Sequence, residues 1–386
     1  MRILTRVIQA AVGILFIISG LVKANDPLGL GYKMQEFFEL WSNELATGHF
    51  FLKGGLISLF DYLHHQSLAL SIFMITLEIV AGVALLLGWQ KNFILWLLLA
   101  LIVFFTFLTG YAYLSGKFTN CGCFGDCLPI TPLTSFVKDL ILLVLILSLL
   151  IGRKYISPLF TNTTRGAIVA SALALTLLLQ WYVLNYLPLV DCLSLKKGNN
   201  IAVQMKPPPG SVPDSFAIRF IYEKGGKQFE FAPENLPADF NTYKFIDRKD
   251  QLVRKGNAEP ALKGFSLTGI SGQDSTEAIL SSPLAVLLFF QDVHSGKWID
   301  KDLEMLIAAI GQKGLSLYIV SPSAPDAMKL LKSHSGLQFF NCDFTVVRIA
   351  ARTEPAVYIL KNGVIWNKYS SQQLRQAGKD LTHLQQ

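Results

Sequence analysis

The sequence predicts an α-helical membrane bundle followed by a soluble outer region that ends in an α/β domain. Three observations predict it. Of 386 residues, 52% are hydrophobic and only 16% are charged, too apolar a balance for an ordinary soluble chain. The apolar residues gather in the first half as five continuous runs, without the period-2 alternation of half-buried strands. From Pro260 onward, short strand patterns alternate with helical ones. The net charge of +7 is spread along the chain with no Lys/Arg-dense run, so nucleic-acid binding is not expected.

The runs cover residues 7–21, 68–89, 93–114, 133–151 and 167–187. A helix crosses the hydrocarbon core with about 20 residues and satisfies its own backbone hydrogen bonds there. Flanking cations set the direction. Arg2 and Arg6 precede the first run, and Lys91 marks the turn between the second and third. Arg153, Lys154 and Arg165 mark the turn between the fourth and fifth. All three positions read as inside. Residues 25–66, read as a long loop, then fall outside, as do the loop before the fourth run and everything after Leu187. A second reading takes the first run as a signal peptide ending at Val22-Lys23-Ala24, which leaves residue 25 outside as well.

Cys121, Cys123, Cys127, Cys192 and Cys342 all share the outer side, a compartment that permits disulfides. Three of them lie in one loop, Asn120-Cys121-Gly122-Cys123-Phe124-Gly125-Asp126-Cys127. Gly122 and Gly125 allow the tight turns that bring sulfurs within reach of one another. Three readings stay open. In the redox reading, two of Cys121, Cys123 and Cys127 form an exchangeable disulfide and the third resolves it or passes electrons on. In the structural reading the loop is stapled, with Cys192, just past the fifth run, as a candidate partner. In the metal reading the thiolates hold a soft ion. That reading lacks an obvious fourth ligand, although His64 and His65 share the outer side, and no metal is assigned.

Ionisable groups inside apolar runs are costly and are usually paired. Glu78 lies in the second run, Lys138 and Asp139 open the fourth, and Lys23 closes the first. One reading is a proton path, with Glu78 and Asp139 handling protons, or a polar pocket for a quinone headgroup. The other is a structural ion pair between helices, Glu78 with Lys23 or with Lys138. Gly82 and Gly88 on the Glu78 helix permit close helix contact.

Residues 1–152 carry Ser19-Gly20-Leu21-Val22-Lys23 followed by Asp26-Pro27, and Leu77-Glu78-Ile79 with a later Leu87-Gly88. They also carry Cys121-Gly122-Cys123-Phe124-Gly125 followed by Lys138-Asp139. On these motifs the segment resembles the DoxX-like and MauE-like redox-associated membrane proteins. The resemblance implies a four-helix core tied to disulfide or electron-transfer chemistry. MauE-like members are linked to maturation of methylamine dehydrogenase, and DoxX-like members to quinol oxidation. Neither pathway is carried over, because this chain adds a fifth span and linker over 153–190 and a large outer region. The architecture resembles a subgroup from bacteria with two membranes. That implies the cytoplasmic (inner) membrane, a cytoplasmic N-terminus and a periplasmic C-terminal domain.

Residues 191–259 predict a small β-rich segment. Pro207-Pro208-Pro209-Gly210 and Gly225-Gly226 are turn signals, residues 216–222 and 228–231 alternate as a hairpin, and 241–254 add a strand. Over residues 260–386 the expected order is strand 284–290, helix 297–310, strand 315–320, helix 324–332, then a hairpin of 357–360 with 364–369. Asn362-Gly363 suits its tight turn. This order, with Phe265-Ser266-Leu267 and Gly272 ahead of it, resembles the thioredoxin fold. Glu354-Pro355-Ala356-Val357 stands where that family carries its cis-proline. The resemblance stops at the active site: where Cys-x-x-Cys would follow the first core strand, the chain reads Asp292-Val293-His294-Ser295-Gly296-Lys297-Trp298. Cys342 reads as a buried, inert thiol. The cleft beside Pro355 reads as a place for an extended peptide or a partner.

The expected function is a thiol–disulfide redox or electron-transfer role at the outer membrane face, carried by Cys121, Cys123 and Cys127. Electrons would pass to a quinone, the one cofactor considered, or to a periplasmic protein partner. The alternative is a non-enzymatic scaffold or maturation factor with structural disulfides and a partner-binding thioredoxin-like domain. The lipid bilayer is a partner in both.

Overall fold

The computed structural model describes residues 2–47, 53–118, 125, 127–128, 130–254, 256–293, 299–331 and 336–384. The first part consists of helices α1 (Arg2–Ala24), α2 (Pro27–Thr47), α3 (Lys53–His65), α4 (Ser67–Leu87), α5 (Lys91–Ser115), α6 (Pro132–Ile151) and α7 (Asn162–Tyr186). Five of these, α1, α4, α5, α6 and α7, are long and apolar enough to cross a membrane. They coincide with the five apolar runs, extended by the polar residues that cap them. Thr131 and Thr161 cap α6 and α7, each accepting a backbone N–H three residues on. Gly88, in the left-handed region at φ 64°, ends α4.

The long loop expected over 25–66 is instead a helical pair, α2 and α3. Asp26 Oδ1 accepts the Gly29 N–H at 3.0 Å, and Pro27 opens α2. Leu30, Met34, Phe38 and Trp41 then recur on one face and pack against the bundle core. Polar residues between them dilute the segment, so hydropathy alone gives no span there.

The bundle centres on Phe16, Leu85, Leu95, Leu98, Ile102, Ile146 and Leu149, all buried. α1 and α4 meet along glycines: a Cβ on Gly82 would stand 2.9 Å from the Gly13 carbonyl oxygen, so the backbones approach only because no side chain intervenes. The outward faces stay apolar, with Phe93, Trp96 and Leu175 exposed, as helices facing lipid require.

Beyond α8 (Ile201–Gln204) come β1 (Ser215–Lys224), β2 (Lys227–Phe231) and β3 (Lys244–Arg254), an antiparallel sheet in the order β2-β1-β3. Its ladder sets Phe220 opposite Phe231, and Tyr222 opposite both Phe229 and Phe245, which gathers the aromatics on one face. The last part runs β4 (Thr268–Gly269), α9 (Thr276–Leu280), β5 (Ala285–Phe289), α10 (Lys301–Gln312), β6 (Leu317–Ser321) and α11 (Ala324–Leu330). It continues through β7 (Leu337–Asn341), α12 (Phe344–Ala350), β8 (Ala356–Lys361), β9 (Val364–Tyr369) and α13 (Leu374–Leu384). The sheet order is β4-β7-β6-β5-β8-β9, with β5, β6 and β7 parallel and β8 antiparallel to β5.

β5 is buried along its whole length because both sheet faces are covered. One face packs Leu287 and Tyr358 on Leu195, Ile201 and Val346; the other packs Leu288 and Ile359 on residues of α10 and α13. The β8–β9 turn has positive φ at both Asn362 and Gly363, the primed geometry that Asn-Gly favours. β7, α12 and α13 go beyond the expected order. In α12 the run Thr345-Val346-Val347 is β-branched and reads as extended, yet Asp343 caps it by accepting the N–H groups of Thr345 and Val346.

Candidate functional site

Cys127 and Cys192 are joined by a disulfide. It ties the segment ahead of α6 to the segment after α7, 65 residues apart. Both cysteines are half-buried and line a small crevice with Val22, Asn25, Gly125 and Leu193. Gly125 turns there at φ 56°, a conformation that side chains resist. Asn25, just past α1, grips the incoming strand: its Nδ2 donates to the Val190 carbonyl at 2.8 Å and its Oδ1 accepts the Val190 N–H at 2.9 Å. Asp191 Oδ2 stands 2.7 Å from Lys368 Nζ on β9. Burial works to lower the Lys368 pKa, but Tyr358 and Asp191 together hold it above its ordinary value. Cys121 and Cys123 lie outside the described residues.

The same turn of α1 serves a second space. Val22 and Asn25 face the disulfide crevice, whereas Lys23 turns into the bundle. Lys23 Nζ donates to Glu78 Oε1 at 2.9 Å, to Glu78 Oε2 at 2.8 Å and to Ser19 Oγ at 2.6 Å, which accounts for all three ammonium protons. The two charged side chains are 4% and 5% exposed. Asp139, also buried, accepts the Thr109 hydroxyl at Oδ2 (3.0 Å), and its Oδ1 is 2.7 Å from Lys138 Nζ. Lys23, Glu78, Lys138 and Asp139 thus line one pocket, walled otherwise by apolar residues such as Phe16, Met34 and Leu142. Its enclosed free space is about 50 Å³, and the rest of its extent opens at the mouth. Fixed polar groups on apolar walls orient a ligand with a polar head and an apolar body.

The C-terminal domain is bonded to α2 through the loops around Pro355. The Glu354–Pro355 peptide is cis. Arg352 Nε stands 2.9 Å from Asp26 Oδ2, and these side chains are 5% and 14% exposed. Arg348 lies 4.4 Å over the Tyr32 ring and donates to Gln35 at 2.6 Å. Gln291 Nε2 donates to Tyr32 Oη at 2.7 Å and to the Ala351 carbonyl at 2.9 Å. Glu354 Oε1 accepts the N–H groups of Gln291 and Asp292 at 2.8 and 3.1 Å. Burial raises the Tyr32 pKa in spite of the nearby Arg352, lowers that of Arg348, and raises that of Glu354. The loop face expected to take a peptide therefore carries α2 of the same chain on part of its surface. Residues 294–298 lie outside the described residues.

Cys342 follows β7 and is 6% exposed, and burial pushes its thiol up to about 11. His64 and His65 sit on α3 beside a depression shared with Glu39 and Asp61. Sequence reasoning missed Tyr32, Gln291, Arg348 and Arg352, and the pairing of Asp26 with Arg352. Two signals were available: Asp26-Pro27 is a helix-start pair, and Arg348 and Arg352 are two cations four residues apart.

No curated protein and no solved structure matches the chain. Residues 216–255, the three-stranded sheet, match a domain of unknown function, DUF8463. Residues 1–152, which hold α1 to α6 and the cysteine loop, match the family described as "Methylamine utilisation protein MauE", a membrane protein family.

Proposed function

We propose that this chain is a membrane-embedded thiol–disulfide redox protein in which Cys121 and Cys123 exchange disulfides with the Cys127–Cys192 pair. The carrying observation is the position of that bond. The end of α1 contributes Val22, with Asn25 just past it, to its crevice and Lys23 to the polar pocket of the bundle. Thiols and pocket thus share a wall. Cys123 is four residues from Cys127, so chain connectivity alone keeps it within about 14 Å. Exchange is balanced in itself: a Cys121 or Cys123 thiolate attacks one sulfur of the disulfide and the other leaves as thiolate. The second thiol of the pair then resolves the mixed disulfide, so Cys121 and Cys123 become a disulfide and their two electrons and two protons end on Cys127 and Cys192. Glu78 and Asp139, which line that pocket, would handle the accompanying protons, and a quinone headgroup would be the electron acceptor. The match of residues 1–152 to the MauE family is consistent with a redox or maturation role.

The C-terminal domain is read as thioredoxin-like without its dithiol. The order β6-β5-β8-β9, with β8 antiparallel and α10 joining β5 to β6, supports that reading. Its part here is to hold Cys192 in place. The distribution of Arg and Lys between the spans supports an inside N-terminus and a periplasmic outer region in a bacterial inner membrane. A second reading, a maturation scaffold with a stapling disulfide, is favoured by the polar ties that flank the bond, Asn25 to Val190 and Asp191 to Lys368.

The test is the thiol state in membranes. Samples are quenched in acid and tagged with a heavy maleimide, before and after mild reductant and then a short-chain quinone. Cycling that is lost in Cys123→Ser supports the redox reading. A Cys127–Cys192 bond that resists mild reductant, with Cys123→Ser indistinguishable from wild type, refutes it and leaves the staple.

A further inference from the structure

We infer that the groove between α2 and the outer domain takes an extended, cysteine-bearing segment of a partner polypeptide and delivers its thiol to Cys192. The inference rests on the redox reading above and names the partner class of that chemistry. Three observations carry it. The groove runs between α2 and the face formed by α12 with the segment after Cys192, and encloses about 1810 Å³ out to its open sides. Along α2 alone its lining runs from Gly29 to Glu39, about 15 Å of helix at 1.5 Å per residue, longer than a small thiol such as N-acetylcysteine. Cys192 lines the groove and Cys127 does not; Cys127 lines the smaller crevice behind it. The walls mix charge signs, Glu36 and Glu39 on α2 against Lys196 and Arg348 across from them. That mixture does not favour a uniformly charged ligand such as a nucleotide. It suits a peptide, whose amides can reach Gln204, which makes no side-chain hydrogen bond among the described residues.

The exchange is fully balanced. A partner thiolate attacks Sγ of Cys192, the Cys127–Cys192 bond breaks, and its electron pair leaves on Cys127. A second partner thiol then attacks the partner sulfur of the mixed disulfide and expels the Cys192 thiolate. The partner dithiol becomes a disulfide, and its two protons and two electrons end on Cys127 and Cys192.

The test uses the full chain in nanodiscs with Cys121, Cys123 and Cys127 replaced by Ser, which leaves Cys192 in the groove and Cys342 buried. The probes are a ten-residue peptide with one central cysteine, and N-acetylcysteine, each activated as the thionitrobenzoate disulfide. Release of thionitrobenzoate is followed by absorbance and divided by each probe's rate with a free thiol. The expected result is a preference of roughly tenfold or more for the peptide, the effect of about 1.4 kcal/mol of binding. Ala261→Trp and Thr345→Trp, both at exposed positions on the groove wall, should remove that preference and leave the small probe unaffected. Equal rates for the two probes overturn the inference. So does faster capture by Cys127 in the Cys192→Ser counterpart. A wild-type disulfide that cycles in membranes without any peptide preference overturns the groove and leaves the redox reading standing. A disulfide that never cycles overturns the redox reading and, with it, thiol delivery, even where the peptide preference holds.

Discussion

Replacing Glu78 by Gln leaves the Lys23 ammonium inside the bundle without its counter-charge. The geometry sets the size of the effect. Both carboxylate oxygens lie within 2.9 Å of Nζ, and neither side chain is more than 5% exposed. The neutral carboxamide oxygen left by the substitution, Ser19 Oγ and the Phe105 ring, 5.3 Å away, can receive the ammonium, but none carries a charge. Removing one partner of a buried pair costs about 3–5 kcal/mol, because the survivor stays desolvated. Removing both charges, as in Lys23→Met with Glu78→Met, leaves no orphan and costs far less. The double-mutant cycle should therefore show a coupling of at least about 2 kcal/mol, against about 0.3–0.5 kcal/mol for independent sites. The assay is reversible unfolding in bicelles, read by denaturant titration for wild type, the two single variants and the double variant. Single variants costing under about 1 kcal/mol, or costs that simply add, would refute the argument that this pair locks α1 to α4.

Four further outcomes follow from the same geometry. Gly82→Val should cost about 1–3 kcal/mol by forcing α1 and α4 apart, measured by the same titration, since even a Cβ meets the Gly13 carbonyl at 2.9 Å. Asp26→Asn should loosen the C-terminal domain from α2 by breaking its contact with Arg352, seen as faster hydrogen exchange at 28–32 and 291–293 with the β5 core unchanged. Cys342, with its thiol raised to about 11, should resist maleimide at pH 7 in the folded protein and label fully in detergent-unfolded chain. If the Cys127–Cys192 bond is a staple, its reduction should lower stability by about 2–4 kcal/mol; an exchangeable bond should cost less.

How much was legible in the sequence depended on how far each signal was local. The five spans were readable because each is a continuous apolar run with cations at its ends, a pattern that needs no tertiary knowledge. Lys23, Glu78, Lys138 and Asp139 stood out for the same reason: a charge in an apolar run is conspicuous. That Glu78 pairs with Lys23, while Lys138 pairs with its neighbour Asp139, was not readable, because it depends on how α1 rotates against α4. The helices at 27–47 and 53–65 were missed because their apolar stripe is interrupted and packs on the bundle, so neither hydropathy nor length marked them. The contact of α2 with the C-terminal domain lay deeper still. Asp26 and Arg352 are more than three hundred residues apart, and each has a sufficient local explanation, the first as a helix cap and the second as a loop cation.

The contact with α2 also changes what the C-terminal domain can do. Its loop face around Pro355 was expected to be a free cleft, but Gln291 and Arg352 spend their polar groups on Tyr32 and Asp26, and Glu354 closes onto the backbone of residues 291 and 292. A face so engaged serves to position rather than to capture. What it positions is the short connection from α7, anchored by Asn25 at Val190 and by Lys368 at Asp191. Cys192 is the next residue. An unanchored connection would let Cys192 wander and lower its effective concentration at Cys127; anchoring on both sides removes that freedom before the bond forms. The domain, bonded to α2, thus holds Cys192 at the bundle end of an open groove.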